Sequence, residues 1–329
     1  MKKTEQHKQE AEQTAAYHRK LQRESAKENS KQQQGKKKQK VMQAGARKYP
    51  ASPISKQHLE KPGNEKDLHF QPMFDAPYYK GSEKLKNKIA LITGGDSGIG
   101  RAIAIFFARE GADISIVYLS EHKDAADTKK MVEKEGRSCM LVPGDVTNPD
   151  FCTYAVKQTI KEFGKLDVLV NNAAFQLHSP EITLLDEKHF DCTIKTNLYG
   201  YFHMAKAAVP YMKEGSAIIN NGSVTALQGS KELLDYSLTK GGIHTFTRSL
   251  GAQLAPKGIR VNAVAPGPVW TPLNPADKQI EEIIKFGAST LMKRAAQPEE
   301  IAPAFVFLAS PHCSSYITGE ILPVIGGYQ

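Results

Sequence analysis

From residue 87 onward the chain alternates between two kinds of hydrophobic pattern. Short runs of consecutive apolar residues, many of them β-branched, are typical of strands buried on both faces. Between these runs, apolar residues such as Ile99, Ile103 and Phe106 recur at the spacing of one helix face. Predicted strands lie at 88–94, 113–117, 138–142, 166–171, 217–220, 259–264 and 320–324. Predicted helices lie near 99–107 and at 123–135, 149–163, 187–213, 235–255, 276–286 and 298–309.

This alternation predicts an α/β fold. Strictly alternating elements with fully apolar strands form a parallel sheet that helices cover on both faces. We therefore expect one doubly wound domain from about residue 85 to residue 329, long enough to bury a substantial core.

Neither hydrophobic pattern is present in the first 48 residues. They are rich in Lys, Gln and Glu and contain few large apolar side chains. A segment of this composition cannot bury enough apolar surface to fold alone, so it is predicted to be disordered or transiently helical. A solubilising tail is the favoured interpretation, and weak contact with an anionic surface or nucleic acid is the alternative.

Residues 49–84, which we call the arm, have a third character. Five prolines hold this stretch extended, and Phe70, Phe74, Tyr78 and Tyr79 lie between them. Exposed aromatic side chains favour contact with a surface. The arm is interpreted as lying across the folded body or a neighbouring subunit, with a plain linker as the alternative.

Charge separates the tail from the body. Residues 1–50 carry 14 Lys and Arg against 5 Glu, whereas residues 51–329 carry 30 charges of each sign. A neutral body argues against a nucleic-acid-binding fold. The four cysteines lie far apart, which predicts free thiols in a reducing compartment and neither a disulfide framework nor a zinc site. The sequence contains no apolar run of membrane-spanning length and no signal-peptide pattern, which indicates a cytoplasmic protein.

The predicted helix at 235–255 carries the first candidate chemistry. Tyr236 and Lys240 are four residues apart and therefore share one helix face. An ammonium beside a phenol stabilises the phenolate, which predicts a lowered pKa for Tyr236 and a role as general acid and base. An isolated pair of this kind is more often a packed Tyr beneath a solvated Lys. Other motifs must therefore decide between the two interpretations.

A glycine-rich turn, TGGDSGIG at 93–100, follows the first predicted strand and opens a helix. Glycines let the backbone approach a pyrophosphate closely, and the helix N-terminus attracts its negative charge. The turn is therefore a candidate phosphate-binding loop, and a tight turn without a ligand is the alternative.

These features, taken in chain order, resemble the short-chain dehydrogenase/reductase family. The matching motifs are TGGDSGIG at 93–100, NNAA at 171–174 for N-N-A-G, Asn197 in TNL, Ser223 at 13 residues before the tyrosine, YSLTK at 236–240 for Y-x-x-x-K, and PGPVWT at 266–271 for P-G-x-x-x-T. The match covers about residues 87–327 and implies a Rossmann fold. A turn of this form after a proline-rich arm is similar to a bacterial subgroup tied to general stress.

The resemblance implies an NAD(P)-dependent oxidoreductase that interconverts a carbonyl and an alcohol. Its implied catalytic tetrad is Asn197, Ser223, Tyr236 and Lys240. Tyr236 would exchange a proton with the substrate oxygen, and Ser223 would hydrogen-bond that oxygen. Lys240 would lower the pKa of the tyrosine and bind the nicotinamide ribose, while Asn197 would hold a water that relays protons. The implied cofactor-binding residues are Thr93, Gly94, Ser97, Gly98, Ile99, Tyr118, Asp145, Val146, Asn171, Ala173, Tyr236, Lys240, Pro266, Gly267, Val269 and Thr271.

The choice between NAD and NADP stays open at this point. The residue immediately before Gly98 is Ser97 and not Arg or Lys, which slightly favours NAD. Lys123 could still bind the 2′-phosphate of NADP, and Arg101 could reach a phosphate. No metal site is predicted. In some relatives the C-terminal carboxylate, here that of Gln329, binds magnesium, although a free terminus needs no metal.

Residues 271–297, which we call the lid, are expected to cover a small carbonyl or alcohol substrate that the sequence does not name. The resemblance also implies a homo-oligomer, either a tetramer or a dimer. The alternative function is a dinucleotide-binding sensor or scaffold without turnover. The intact tetrad argues against that alternative, because a sensor does not need Tyr236 and Lys240 together.

Overall fold

Seven parallel strands form one sheet in the computed structural model, which describes residues 40–278 and 280–327. The strands are β1 Ile89–Thr93, β2 Asp113–Tyr118, β3 Cys139–Pro143, β4 Val168–Asn171, β5 Ala217–Asn221, β6 Arg260–Pro266 and β7 Ile321–Val324. Their order in the sheet is β3-β2-β1-β4-β5-β6-β7, so the winding reverses between β1 and β4. The predicted doubly wound α/β fold is confirmed, and the reversal leaves a crevice at the carboxyl ends of the central strands.

Helices cover both faces of the sheet. They are α1 Gly98–Arg109, α2 His122–Lys134, α3 Pro149–Phe163, α4 Glu187–Ile194, α5 Gly200–Ala208, α6 Thr225–Gln228, α7 Leu234–Leu254, α8 Ile280–Ile284, α9 Pro298–Ala309 and α10 Pro311–Ser314. The central strand β1 shows why its sequence is apolar throughout. Ala90 and Ile92 pack into the core formed with α1 and α9, while Leu91 packs into the core formed with α3 and α5. All five side chains of β1 are buried, as the continuous apolar run predicts.

The predicted helix at 187–213 is interrupted. A π-helical segment, Lys195–Tyr199, separates α4 from α5, and a 3-10 turn at Val209–Tyr211 contains Pro210. Such a π segment widens the backbone spiral locally and is frequent at functional sites. The helix predicted at 276–286 is also shorter than expected, because the structure has only α8, Ile280–Ile284, there. Pro275 precedes this region and Gly287, with a positive φ of 79°, follows it.

The arm lies along the body of the same chain. Leu59 and Leu68 are buried in an apolar cluster with Trp270, which is fully buried. At the other end of the arm, the carboxylate of Glu110 accepts a hydrogen bond of 2.9 Å from the backbone N–H of Ser82. The aromatic residues Phe70, Phe74 and Tyr79 of the arm likewise contact Trp270, Arg101 and Phe106 of the body.

Some sequence expectations concern residues outside those described. Residues 1–39 of the basic tail and the terminal carboxylate of Gln329 both lie outside the described residues. Within 40–278 and 280–327, no helix has the length and apolarity that crossing a membrane requires. All four cysteines are free thiols.

Candidate active site

A cleft of about 1350 Å³ lies at the carboxyl ends of the strands, where the winding of the sheet reverses. Open α/β sheets bind their ligands at this edge. The predicted site residues that line it are Gly94, Ser97, Gly98, Ile99, Tyr118, Asp145, Val146, Ala173, Ser223, Tyr236, Lys240, Pro266, Gly267, Val269 and Thr271. Residues far apart in the sequence are thus brought to one cleft. Thr93, Asn171 and Asn197 are not among its lining residues.

The glycine-rich turn connects β1 to α1 and has space only for glycine at its key positions. Gly94 and Gly98 have positive φ values of 62° and 51°. A Cβ atom on Gly100 would lie 1.9 Å from the carbonyl oxygen of Gly94, and one on Gly98 would lie 3.0 Å from the side chain of Thr271. The backbone therefore stays bare along this wall, which fits close approach of a pyrophosphate to the first turn of a helix.

Thr93 and Asn171 act behind the cleft and do not line it. The hydroxyl of Thr93 accepts hydrogen bonds from the backbone N–H groups of Asn172 at 2.9 Å and Ala173 at 3.1 Å. The side-chain amide of Asn171 is fully buried and donates to Asn220 Oδ1 at 2.9 Å. Both side chains thus help to join neighbouring segments at this edge of the sheet, and direct contact of either with the cofactor stays a prediction.

Asn172, which was not predicted as a site residue, lines the cleft together with Ala173 and Ala174 of the NNAA motif. Its amide donates to the carbonyl oxygens of Thr93 at 3.1 Å and Gly94 at 2.9 Å. It therefore fixes the first peptide of the glycine-rich turn against the end of β4. Its position as the second residue of the NNAA motif was the sequence feature that could have identified it as a site residue.

Ser223 and Tyr236 both face the cleft, from the two sides of the short helix α6 in the chain. Ser223 follows β5, and its Oγ accepts a hydrogen bond of 3.1 Å from the backbone N–H of Thr225. Tyr236 lies in the first turn of α7, and both side chains are about 8% exposed. Two hydroxyl groups at the floor of one cleft can together hold a carbonyl or alcohol oxygen.

Lys240 lies one turn after Tyr236 and is almost completely buried. Its ammonium donates to the carbonyl of Asn221 at 2.7 Å and lies 5.4 Å from the centre of the Tyr236 ring. The hydroxyl of Tyr201 lies 3.4 Å from the same nitrogen. The pair is therefore part of a buried polar network, which excludes the interpretation of a packed tyrosine beneath a solvated lysine.

Burial dominates the protonation equilibria of this pair. It lowers the pKa of Lys240 to about 7, because a buried ammonium loses its hydration. Burial also raises the pKa of Tyr236 above its usual range, and the hydroxyl of Ser223 acts in the opposite direction. In the protein alone, burial is thus the largest influence on the pKa of Tyr236, and the ammonium of Lys240 is directed to Asn221. The expected lowering of the Tyr236 pKa by Lys240 stays a prediction.

Asn197 lies in the π-helical segment and is fully buried. Its Oδ1 accepts from the backbone N–H of Phe175 at 2.8 Å, and its Nδ2 donates to the carbonyl of Phe175 at 2.9 Å. The same amide donates to Thr239 Oγ1 at 3.1 Å. The side chain thus fixes the loop after β4 to α7, and its role in holding a water stays a prediction.

The cleft is acidic where it reaches the end of β2. Asp96 and Glu121 line it there, beside Tyr118, and burial together with the charge of Glu121 raises the pKa of Asp96 to about 7. Arg101 does not reach the cleft, since its guanidinium pairs with the buried Glu65 of the arm. Lys123 is exposed and does not line the cleft either.

The opposite end of the cleft is built from three segments: the loop after β4, the lid and the arm. Asp277 of the lid accepts hydrogen bonds from Gln176 Nε2 at 2.6 Å and from the backbone N–H of His178 at 2.7 Å. The ammonium of Lys61 contributes from the arm and donates to the carbonyl of Gln176. Phe286 of the lid lines the cleft, whereas Leu291 and Met292 do not.

His178, Glu232 and Glu282 bring ligand atoms within 4.8 Å of one another at this end. The ammonium of Lys278 lies 2.8 Å from His178 Nε2, so the chain itself supplies a cation there. None of these residues belongs to a motif, which is why the sequence did not single them out.

Residues 94–329 match the family model described as enoyl-(acyl carrier protein) reductase. The chain belongs to the short-chain dehydrogenase/reductase family. An uncharacterised oxidoreductase, YhdF of Bacillus subtilis (strain 168), is 53% identical over 82% of this chain and 94% of its own length. General stress protein 39 of the same organism is 49% identical over 85% of this chain and 97% of its own length. The predicted resemblance to a bacterial stress-type group is therefore confirmed.

More distant members extend the comparison. A protein of Arabidopsis thaliana named NADPH-dependent aldehyde reductase 1, chloroplastic, is 47% identical over 84% of this chain and 98% of its own. A short-chain dehydrogenase from Burkholderia cenocepacia J2315, solved in complex with NADP, superposes with a TM-score of 0.70 at 30% identity and covers 74% of this chain and 98% of that one. As a member of this family, the chain is an NAD(P)-dependent oxidoreductase that interconverts a carbonyl and an alcohol. The alternative of a non-catalytic sensor receives no support.

Proposed function

We propose that the protein reduces a small polar carbonyl, or oxidises the corresponding alcohol, with NAD(H) in preference to NADP(H), and that Tyr236 is its acid and base. The observation that carries this proposal is the single cleft in which Ser223, Tyr236 and Lys240 share a floor beside the bare glycine-rich turn. The nicotinamide, when bound, supplies or accepts the hydride.

Tyr236 moves the proton in this proposal. Its phenol donates a proton to the substrate oxygen during reduction and takes one from the hydroxyl during oxidation. Burial keeps the phenol protonated in the protein alone, which suits the reduction direction. Ser223 donates a hydrogen bond to the same oxygen and so stabilises the charge that develops on it.

Lys240 and Asn197 support this chemistry from behind. The bond from Lys240 to Asn221 holds α7 against β5, so the two hydroxyl groups keep their relative position. Asn197 fixes Phe175 in the loop after β4, and that loop lines the cleft. Of these two, Lys240 would contact the cofactor ribose, a role supported by its position in the lining of the cleft.

The cofactor is proposed to bind along the lining residues of the switch point. The glycine-rich turn would hold the pyrophosphate, and the segment after β6 would hold the carboxamide. The residues assigned to it are Gly94, Ser97, Gly98, Ile99, Tyr118, Asp145, Val146, Asn172, Ala173, Tyr236, Lys240, Pro266, Gly267, Val269 and Thr271.

The preference for NAD is supported by the charges at the end of β2. Asp96 and Glu121 line this part of the cleft, and Arg101 is committed to Glu65. A carboxylate can accept a hydrogen bond from a ribose 2′-hydroxyl but repels a 2′-phosphate. The preference for NAD is proposed for this chain only and differs from that of the Arabidopsis relative, which is named as NADPH-dependent.

A polar substrate is supported by the opposite end of the cleft. Lys61, Gln176, His178 and Lys278 line it, so several polar side chains lie near Phe286. A site built to bind hydroxyl or anionic groups discriminates against substrates that lack them. Hydroxylated aldehydes and sugars therefore fit this end better than alkyl ketones.

The test is a titration of the purified protein with NADH and NADPH, followed by fluorescence, together with turnover on a panel of carbonyls. We expect tighter binding of NADH and higher kcat/KM for glyceraldehyde than for the alkyl analogue propanal. Equal or tighter binding of NADPH would contradict the cofactor proposal. Preference for propanal would contradict the substrate proposal.

We also propose that the protein acts in the cytoplasm as a homo-oligomer, either a tetramer or a dimer. The oligomer is supported by exposed aromatic side chains on neighbouring helical segments, namely Tyr154, Tyr199 and Phe202, which are 53%, 51% and 46% exposed. Light scattering of the wild type and of Phe202→Glu measures the assembly. A monomeric wild type would contradict it.

A further inference from the structure

A residue of the arm holds the glycine-rich turn from behind. Glu65 is fully buried, and its Oε2 accepts a hydrogen bond of 2.7 Å from the backbone N–H of Gly98, the first residue of α1. Its Oε1 lies 2.5 Å from the guanidinium of Arg101, one turn further along the same helix. One carboxylate therefore contacts the turn and the helix that the turn opens.

The groups around this carboxylate are paired. Arg101 donates to the carbonyl of Asp96 at 2.8 Å and to Thr128 Oγ1 at 2.8 Å. Asp124 of α2 accepts from the backbone N–H of Glu65 at 2.7 Å. The arm, the glycine-rich turn and α2 are thus joined in one buried network, in which Arg101 lies beside the carboxylates of both Glu65 and Asp124.

The same piece of the arm also touches the lid. A Cβ atom on Gly63 would lie 2.9 Å from Ala276 Cβ and 3.1 Å from the carbonyl oxygen of Pro272. Leu59 donates its backbone N–H to the carbonyl of Pro275 at 2.9 Å. The arm between residues 59 and 65 therefore connects the two walls of the cleft, the turn on one side and the lid on the other.

We propose that Glu65 is a positioning residue for the cofactor-binding turn, and that docking of the arm and binding of the dinucleotide stabilise each other. The inference rests on the proposed function, since it assigns the turn to the pyrophosphate. The carboxylate holds the Gly98 peptide and Arg101 in place, so the turn is preorganised before the anion arrives. Because linkage is reciprocal, bound dinucleotide must strengthen the docking of the arm by the same factor.

Electrostatic competition between the Glu65 carboxylate and the phosphate would have the opposite effect on dinucleotide binding, so the two effects can be distinguished. A carboxylate at a helix N-terminus competes with a phosphate for the same positive end of the helix dipole. If competition were the main effect, Glu65→Gln would tighten dinucleotide binding. Positioning predicts the reverse, because a Gln amide facing Arg101 brings two donors together and releases the turn.

The first measurement is the NADH dissociation constant of Glu65→Gln and Glu65→Ala by fluorescence, with Glu60→Gln as the matched control. Glu60 is an exposed glutamate of the same arm. We expect an increase of about tenfold for both Glu65 variants. The dissociation constant of Glu60→Gln should be unchanged. The kcat of the Glu65 variants at saturating NADH should be close to that of the wild type. Unchanged or tighter binding by both Glu65 variants would overturn the proposal.

The second measurement needs no variant and no turnover. Limited trypsin digestion of the wild type, followed by mass spectrometry, gives the rate of cleavage at arm lysines such as Lys56 and Lys66. NADH should slow this cleavage severalfold, and the protection should disappear in Glu65→Ala. A wild type that binds NADH without protecting the arm would overturn this inference alone. A wild type that binds neither NADH nor NADPH would overturn the proposed function and this inference together.

Discussion

Lys240 donates a hydrogen bond from its ammonium to the main-chain carbonyl of Asn221 at 2.7 Å. Asn221 ends β5, two residues before Ser223, and Lys240 lies one turn after Tyr236 on α7. The bond therefore sets the distance between the strand that carries the serine and the helix that carries the tyrosine. Lys240 orients the two hydroxyl groups through the backbone as well as by its charge.

Lys240 should make the stability of the protein depend on pH. Its pKa is about 7 in the folded protein and about 10.5 when unfolded, so between these values the unfolded state binds more protons. The contribution of this group to the free energy of unfolding should thus rise with pH from 7 to about 10, by at most about 1.4 kcal/mol per pH unit. Urea unfolding at pH 7 and pH 9 should show that Lys240→Met loses this rise. Parallel pH dependence in wild type and variant would contradict it.

Tyr236→Phe should abolish turnover while leaving NADH binding within about twofold of the wild type. The substitution removes one hydroxyl at the floor of the cleft and keeps the ring that packs beside Lys240. Steady-state assays measure kcat, and fluorescence titration with NADH measures cofactor binding, so turnover and binding are separated. Tyr316→Phe is the matched control, because Tyr316 is a fully exposed tyrosine that does not line the cleft. Retained turnover in Tyr236→Phe would exclude the tyrosine as the acid and base.

The sequence predicted the fold and most of the cleft for a physical reason. Alternating apolar runs specify a parallel sheet, and motifs such as the glycine-rich turn follow strands that must end at the same edge. Side-chain direction was less accessible, since Asn171 and Asn172 are adjacent and only the second lines the cleft. The contact between Glu65 and Gly98 was not accessible at all, because it joins residues whose pairing depends on how the arm docks.

Asn197→Ala should destabilise the protein and lower kcat, because it leaves the N–H and C=O groups of Phe175 without their partner. Loss of a buried partner of this kind costs about 1–3 kcal/mol in the free energy of unfolding. Asn197→Asp should be destabilised at least as much as Asn197→Ala, since it brings a carboxylate oxygen against the carbonyl oxygen of Phe175 in a fully buried place. Thermal unfolding and kcat should follow that order. Wild-type stability in Asn197→Ala would show that the side chain is not the tie between the loop and α7.

Ser97→Arg should shift cofactor preference towards NADP. Ser97 precedes α1 and lines the cleft, and its side chain makes no capping hydrogen bond, so the helix loses little by the change. The new cation would lie at the end where Asp96 and Glu121 are found, and it would attract a 2′-phosphate that these carboxylates repel. We expect the ratio of NADPH to NADH affinity to rise by about tenfold or more, the worth of one charge-assisted hydrogen bond. Ser230→Arg places the same charge at the opposite end of the cleft and should leave the ratio unchanged. Equal shifts in both variants would mean that the overall charge of the cleft, and not the end of β2, selects the cofactor.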